Sequence, residues 1–425
     1  MARGVSRMKE SRRIVVTGLG VVSPVGSSVE SAWSNLLAGH SGVRRISTYA
    51  EQEYRCQVAG EVTGLDMDKY LPPKEQQRMD PFCHYALAAA QQAMESSGLQ
   101  VGQDIAPERI GSLVSSGIGG LTTSTLQSQR LGTLGSRLVS PMTIPEIIAD
   151  MATGHIAIRF NLQGPNFGIV SACASGLHSI GEAAWIIQRG DAEVMLAGGA
   201  EAGVVALGQA AFGAMRALTT THNDDPEHAS RPFDATRDGF VPGAGAGILV
   251  LEELSHAKER NANILAEVSG YGATCDAHHI TAPVEDGSGA ARAIRVALEH
   301  AGLSAEDIGY VNAHGTSTPL NDLVETRALK LALGDHAYRT AISSTKSMTG
   351  HMLGAAGGFE SVVCVLALQH GMAPGTMNLT TPDPNCDLDY LPNAARELPA
   401  LRHALKLNMG FGGHNAAVVY SRFEG

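Results

Sequence analysis

Residues Ser171–Ala184 read S-A-C-A-S-G-L-H-S-I-G-E-A-A, and residues Ser344–Gly357 read S-T-K-S-M-T-G-H-M-L-G-A-A-G, a second string that aligns with the first throughout. Two more echoes lie in the same order along the chain. T-G-L-G at Gly18 returns as S-G-Y-G at Gly270, and S-G-L followed by R-I-G-S-L-V at Ile110 returns as A-G-L followed by D-I-G-Y-V-N at Ile308. The separation between partners shrinks toward the C-terminus, which places the insertions in the first half. Three ordered echoes predict a duplicated unit rather than chance matches in a Gly- and Ala-rich chain.

Local patterning makes that unit α/β. R-R-I-V-V-T-G-L-G from Arg12 is a short β-branched run ending in glycines, a buried strand and turn. Ser27 and Glu30 form a capping-box pattern for a helix whose Val29, Trp33, Leu36 and Leu37 share one face, and Gly39 stands at its stop. A helix around Tyr85–Glu95, a strand near Ile110, a strand and helix across Gly168–Ile187 and a strand near Val194 continue the alternation. The halves are expected to meet in the charged stretch at residues 255–263.

Composition narrows the function. The chain has 425 residues, 49 of them glycine, with 44% hydrophobic and 17% charged residues and a net charge of −11. That balance excludes a disordered chain or one that coats nucleic acid. Six cysteines without paired or CxxC spacing point to a reducing, cytoplasmic setting rather than a disulfide framework. The longest uncharged runs, such as Ser361–Pro382, contain Gln, His, Asn and Pro, so none reads as a membrane span.

Cys173 lies between a strand-like run, Phe167–Val170, and a helical stretch, Leu177–Ile187. Its thiol is therefore expected at a helix N-terminus, where the dipole stabilises a thiolate. On local context alone a cysteine among small residues is equally a core filler. His314 follows a strand in N-A-H-G-T-S-T-P, a turn expected to expose it beside Thr316 and Thr318, and His351 stands five residues after Lys346 where another strand gives way to a helix. Each histidine alone is more often structural, but a cysteine and two histidines at equivalent edges of duplicated units would converge on one pocket suited to nucleophilic acyl chemistry. D-A-H-H at Asp276–His279 lacks metal-ligand spacing, and the glycines around Ile118 and at Gly243–Gly247 lack phosphate-loop spacing and read as sites of tight packing.

V-S-A-C-A-S-G at Cys173, N-A-H-G-T-S-T at His314, S-S-T-K-S-M-T-G-H at Lys346 and His351, and G-F-G-G-H-N at Phe411 resemble the four signature blocks of the β-ketoacyl-acyl-carrier-protein synthases of the thiolase superfamily. The resemblance is greatest to the type II elongation branch and runs from about Arg12 to Tyr420. It implies an α/β thiolase-like fold with duplicated βαβαβαββ halves in a layered α-β-α-β-α arrangement. Residues 1–11 would be a flexible extension, 12–258 the half with the nucleophile and 259–425 the half with both histidines. The implied partners are an acyl carrier protein and a second copy of the chain in a homodimer, with no nucleic acid, no membrane span and no metal or organic cofactor.

The same resemblance implies residue roles. Cys173 is the nucleophile; the backbone N–H groups of Cys173 and Phe411 hold the oxyanion, and Phe411 gates the site. His314 and His351, as neutral Nε–H donors, hold malonyl thioester through decarboxylation, with Lys346 keeping them neutral and Glu360 organising the site. Thr316 and Thr318 bind the phosphopantetheine arm, and Ile118 stands at the acyl-pocket entrance. Lys74, Arg78, Arg130 and Arg216 are the docking candidates for an acidic carrier. Met142, Thr143, Ala244, Met409 and His414 depart from the usual pattern. A degradative thiolase would place a cysteine in the G-F-G-G block, a starter synthase an Asn at His351, and a chain-length factor would lack Cys173. A ketosynthase of a type II polyketide pathway is the open alternative.

Overall fold

The computed structural model describes residues 12–48 and 54–425; the expected extension at 1–11 lies outside them. The first half runs β1 (Ile14–Val22), α1 (Val29–Ala38), α2 (Pro81–Ser97), β2 (Ile110–Ser115), α3 (Met151–Phe160), α4 (Ser175–Arg189), β3 (Val194–Glu201) and β4 (Gly245–Glu253). The second runs β5 (Ala266–Cys275), α5 (Ser288–Ala301), β6 (Tyr310–Asn312), α6 (Pro319–Leu333), β7 (Ala341–Ser343), α7 (Ala356–His370), β8 (His403–Gly410) and β9 (His414–Ser421). The nine strands form one sheet in the order β2-β3-β4-β1-β5-β9-β8-β6-β7. Reading outward from the β1–β5 seam, where Ile14 faces Val268 in an antiparallel pair, the two halves repeat one order over four strands (first, last, last but one, second), and the second half adds β7 at its edge.

Burial explains the layering. α4 and α7 lie together in the middle of the molecule, packed with β1 and β5 residues in one apolar core. α2 and α3 cover the outer face of the sheet over the strands of the first half, and α5 and α6 cover the same face over those of the second. The continuous helical stretch Leu353–His370 has the length and composition to cross a membrane, but 89% of it is buried in this middle layer, where a helix must be apolar all round.

The T-G-L-G and S-G-Y-G echo has a mechanical cause. A Cβ on Gly20 would lie 1.8 Å from the Ala89 carbonyl oxygen, and one on Gly272 would lie 2.0 Å from that of Ala293. The first strand of each half thus rides against the backbone of an Ala-rich outer helix, a separation only glycine permits.

Three expectations require correction. The N-cap of α1 is Ser28 with Ser31 completing the capping box, one residue later than the Ser27/Glu30 pattern, because Ser28 carries the extended conformation and accepts from the Ser31 N–H. Phe167–Val170 is not a strand: the ladder to the edge strand β2 stops at the preceding Asn166–Ser112 bridge, and the segment itself meets β2 through the Ile169 N–H, which donates to the Ser115 hydroxyl at 2.8 Å. The third echo is out of register. Ala172–Ala174 and Leu353–Ala355 are matching 3₁₀ turns leading into α4 and α7, and their first residues share a left-handed backbone, φ 51° at Ala172 and 48° at Leu353. Cys173 therefore stands opposite Gly354, not Lys346; the one-turn helix Lys346–Thr349 displaces the second string, and small residues aligned across it by composition.

Candidate active site

The turn that carries Cys173 is held from within. The Ser175 hydroxyl donates to the Ala172 carbonyl at 2.7 Å and accepts the Ser171 N–H at 2.9 Å. This leaves the Cys173 thiol at the entry to α4, with its sulfur 3.0 Å from His351 Nε2 and faced by the backbone N–H groups of Cys173 and Phe411. Burial pushes the thiol up to about 12, against the pull of the Lys346 charge and those N–H groups. The expected dipole-stabilised thiolate is thus corrected: removing a thiolate from water outweighs the donors, and the resting group is the thiol.

Both histidines are buried, each 3% exposed, so the expected exposure of His314 by its turn is also corrected. The turn folds inward because the Glu325 carboxylate on α6 accepts the N–H groups of His314 at 2.6 Å and Gly315 at 2.7 Å. The rings meet edge to face with centroids 5.2 Å apart. On His351, Nδ1 accepts the Leu353 N–H at 3.3 Å. On His314, Nδ1 accepts the Asn408 side-chain amide at 3.1 Å, whose nitrogen end is identified by its 3.4 Å approach to the Glu360 carboxylate. With both Nδ1 atoms accepting, the neutral rings carry their protons on Nε2. Burial first, and then the Lys346 ammonium, holds both rings well below the usual imidazole range, so they are neutral donors at neutral pH.

Beneath the histidines lies a charged cluster. Glu360 on α7 accepts Lys346 Nζ at 2.5 Å and Lys406 Nζ at 2.7 Å, and all three side chains are essentially inaccessible to water. Lys406 on β8 and Asn408 beside it were not anticipated. A lysine and an asparagine inside A-L-K-L-N-M-G, a strand buried on both faces, were the available signal, because uncompensated polar groups do not persist there. Glu201 was missed as well: it accepts Ser116 Oγ, Gly117 N and Gly354 N, which ties the loop bearing Ile118 to the turn after His351.

Cys173, His314 and His351 line a cavity of about 420 Å³ whose walls include Ile118, Arg216, Thr316, Thr318 and Phe411. The Thr316 and Thr318 hydroxyls lie 3.0 Å apart on one side. Lys346 and Glu360 sit below the floor rather than on it. Lys74, Arg78 and Arg130 are exposed and do not reach the cavity. The Asp276 carboxylate is occupied by Asn415 and the Val284 N–H, and among the described residues no group of three or more His, Cys, Asp or Glu is arranged to hold a metal ion. A thiol, two backbone donors at the sulfur and two Nε2–H donors can support transfer of an acyl group and hold a negative charge on oxygen.

Comparison with known proteins bears on this arrangement. The family model described as β-ketoacyl synthase, N-terminal domain, matches residues 11–257, and its C-terminal counterpart matches residues 265–380. The 3-oxoacyl-[acyl-carrier-protein] synthase 2 of Synechocystis sp. is 48% identical, over 98% of this chain and 99% of that protein. The Staphylococcus aureus protein of the same description is 46% identical, over 98% and 100%. Among solved structures, a type II polyketide ketosynthase in complex with its acyl-carrier protein superposes with a TM-score of 0.91 at 35% identity, over 98% of this chain and 100% of that one. A β-ketoacyl synthase from Burkholderia phymatum gives a TM-score of 0.90 at 35% identity, over 97% and 100%.

Proposed function

The chain belongs to the β-ketoacyl synthase family, and from that premise we propose how its residues divide the reaction. The activity is that of a 3-oxoacyl-acyl-carrier-protein synthase, an acyltransferase of fatty acid elongation. Full-length identity of 46–48% to elongation synthases, against 35% to the polyketide ketosynthase, favours elongation over the polyketide alternative.

In the first half-reaction the Cys173 sulfur attacks the carbonyl of an acyl-carrier thioester. The N–H groups of Cys173 and Phe411 hold the oxyanion, and the carrier's phosphopantetheine thiol leaves with the proton lost by the cysteine. Malonyl-carrier then enters, its arm held by the Thr316 and Thr318 hydroxyls. The Nε2–H groups of His314 and His351 donate to its thioester carbonyl, so that the C–C bond breaks, CO₂ departs and the electron pair is held as an enolate. The enolate carbon attacks acyl-Cys173, the C–S bond breaks and 3-oxoacyl-carrier leaves. Lys346, anchored by Glu360, keeps the rings neutral. Phe411 gates the cavity, flanked by Gly410 and by left-handed Gly412 and Gly413, and Ile118 stands at the entrance of the acyl pocket. The nucleophile comes from residues 12–258 and both histidines from 259–425.

The observation that carries this reading is the 3.0 Å approach of His351 Nε2 to the Cys173 sulfur, with the His314 ring beside it and both Nδ1 atoms occupied. The partner is an acidic acyl carrier, docked through Lys74, Arg78, Arg130 and Arg216 despite the net charge of −11. A second copy of the chain covers the exposed apolar residues Leu131, Leu134, Ile158, Phe167 and Val170, of which Ile158 is 80% exposed. Six unpaired cysteines fit a cytoplasmic setting.

Replacement of the nucleophile tests the assignment. Cys173→Ala is expected to abolish condensation while Cys173→Gln continues to decarboxylate malonyl-carrier. Undiminished elongation by the Ala variant overturns the role of Cys173. His314→Ala and His351→Ala are each expected to impair decarboxylation more than acyl transfer, and equal loss of both half-reactions contradicts the division of labour.

A further inference from the structure

Lys406 has no part in the roles above, yet its side chain lies deeper than any of the groups that perform them. It projects from β8 with no accessible surface and donates to the carbonyls of Asn312 at 3.1 Å, Ala313 at 3.0 Å and Leu407 at 2.8 Å, as well as to Glu360. Asn312 and Ala313 are the residues that lead directly into His314. We infer that Lys406 is a positioning residue for the decarboxylation half-reaction, clamping the backbone before His314 and giving the buried Lys346–Glu360 pair one positive charge in excess.

The argument is one of charge count. Lys346 opposes protonation of both rings, but its charge is paired with that of Glu360, and Lys406 adds a second cation acting on the same two imidazoles. Adding the second ammonium leaves the Lys346–Glu360–Lys406 cluster with one positive charge beside two rings that must remain neutral donors, and Glu325, pushed up to about 7 by burial, offsets that charge only to the extent that it ionises. The groups facing Lys406 are Glu360 and Cys364 on α7, Lys346 on the one-turn helix, Glu325 on α6, and His314 and His351. Glu360 is the strongest charge favouring the ammonium; burial opposes it and outweighs the carboxylate, bringing Lys406 down to about 8. Because that value is lowered, the ammonium is present below about pH 8 and is lost as pH rises through it.

The inference rests on the condensing reading above, and the two fail separately: absence of 3-oxoacyl product from the wild-type enzyme at pH 7 removes the reading, whereas the inference is decided by the shape of a pH profile. Malonyl-carrier decarboxylation is measured from pH 4 to 9.5 in the Cys173→Gln background, where the nucleophile no longer titrates, with Lys406 intact, Lys406→Met and Lys406→Arg. With Lys406 intact, the rate is expected to fall on the alkaline side with an inflection near pH 8. In Lys406→Met that inflection disappears, and the acid inflection set by the histidines rises by about one unit or more, the scale on which a nearby charge moves a pKa. Lys406→Arg, which keeps the charge beyond pH 9.5, is expected to lose the alkaline inflection while retaining the low acid one. A flat alkaline limb with Lys406 intact, which requires no folded variant to observe, overturns the inference, as does a uniform loss in Lys406→Met with the acid inflection unmoved.

Discussion

Asn408→Leu isolates the tautomer of His314 from the rest of the site. Leucine keeps the heavy-atom number and branching of asparagine, so the shape on β8 is retained, but the amide that donates to Nδ1 at 3.1 Å is gone. The contact of the same amide with Glu360 is long at 3.4 Å, and the two lysines still hold that carboxylate. A neutral hydrogen bond contributes about 0.5–1.5 kcal/mol net. At about 1.4 kcal/mol per tenfold, the Nε2–H form of His314 loses roughly two- to twelve-fold of its preference over the Nδ1–H form. Because only the Nε2–H form donates to the malonyl thioester carbonyl, malonyl-carrier decarboxylation is expected to slow, by at most that factor. Acyl transfer to Cys173, which uses the backbone donors, is expected to stay within about twofold. The assay is paired: release of labelled CO₂ from malonyl-carrier, and labelling of the protein by acyl-carrier, on one preparation of the variant. Equal loss in both, or no loss in decarboxylation, refutes the tautomer argument.

Other consequences follow from the same geometry. Since burial raises the Cys173 thiol to about 12, its alkylation by iodoacetamide is expected to keep accelerating above pH 9; a plateau reached by pH 7 would reveal a resting thiolate instead. Gly20→Ala and Gly272→Ala each drive a Cβ into a helix carbonyl and are expected to cost about 3 kcal/mol or more in urea unfolding, at or above the upper end for overpacking. Gly132→Ala, with nothing within 4 Å of the new Cβ, is expected to stabilise by about 0.5–1 kcal/mol; similar effects at all three sites would remove the close-approach explanation. Phe167→Glu combined with Val170→Glu is expected to convert a sedimenting dimer to monomer, and an unchanged sedimentation coefficient would place the partner copy elsewhere.

What was legible in the sequence was whatever depends on short, contiguous chemistry. The Cys173, His314, Lys346/His351 and Phe411 blocks each carry their own turn residues, and the T-G-L-G echo marks a backbone approach that any reader of glycines can find. Register over longer distances is not legible: Gly- and Ala-rich strings align on composition, which hides the one-turn helix at Lys346–Thr349 and pairs Cys173 with Lys346 instead of Gly354. Phe167–Val170 has strand-like residues but forms no ladder with β2, a fact of the sheet edge rather than of the segment. Burial was the other blind spot. The thiolate expected from a helix N-terminus gives way to a thiol because desolvation depends on what closes over the site, and Lys406 and Asn408, five and three positions before Phe411, gain their roles only from the placement of β8 under the histidines.

The central claim, that an acyl group rests on Cys173 until a decarboxylated malonyl unit collects it, is tested most directly by a pulse and chase followed by intact-protein and peptide mass spectrometry. Acyl-carrier alone is expected to add one acyl mass to the peptide containing Cys173, and subsequent malonyl-carrier to remove it with release of CO₂ and formation of 3-oxoacyl-carrier. An adduct on another cysteine, or a Cys173 adduct that malonyl-carrier fails to discharge, would contradict the account.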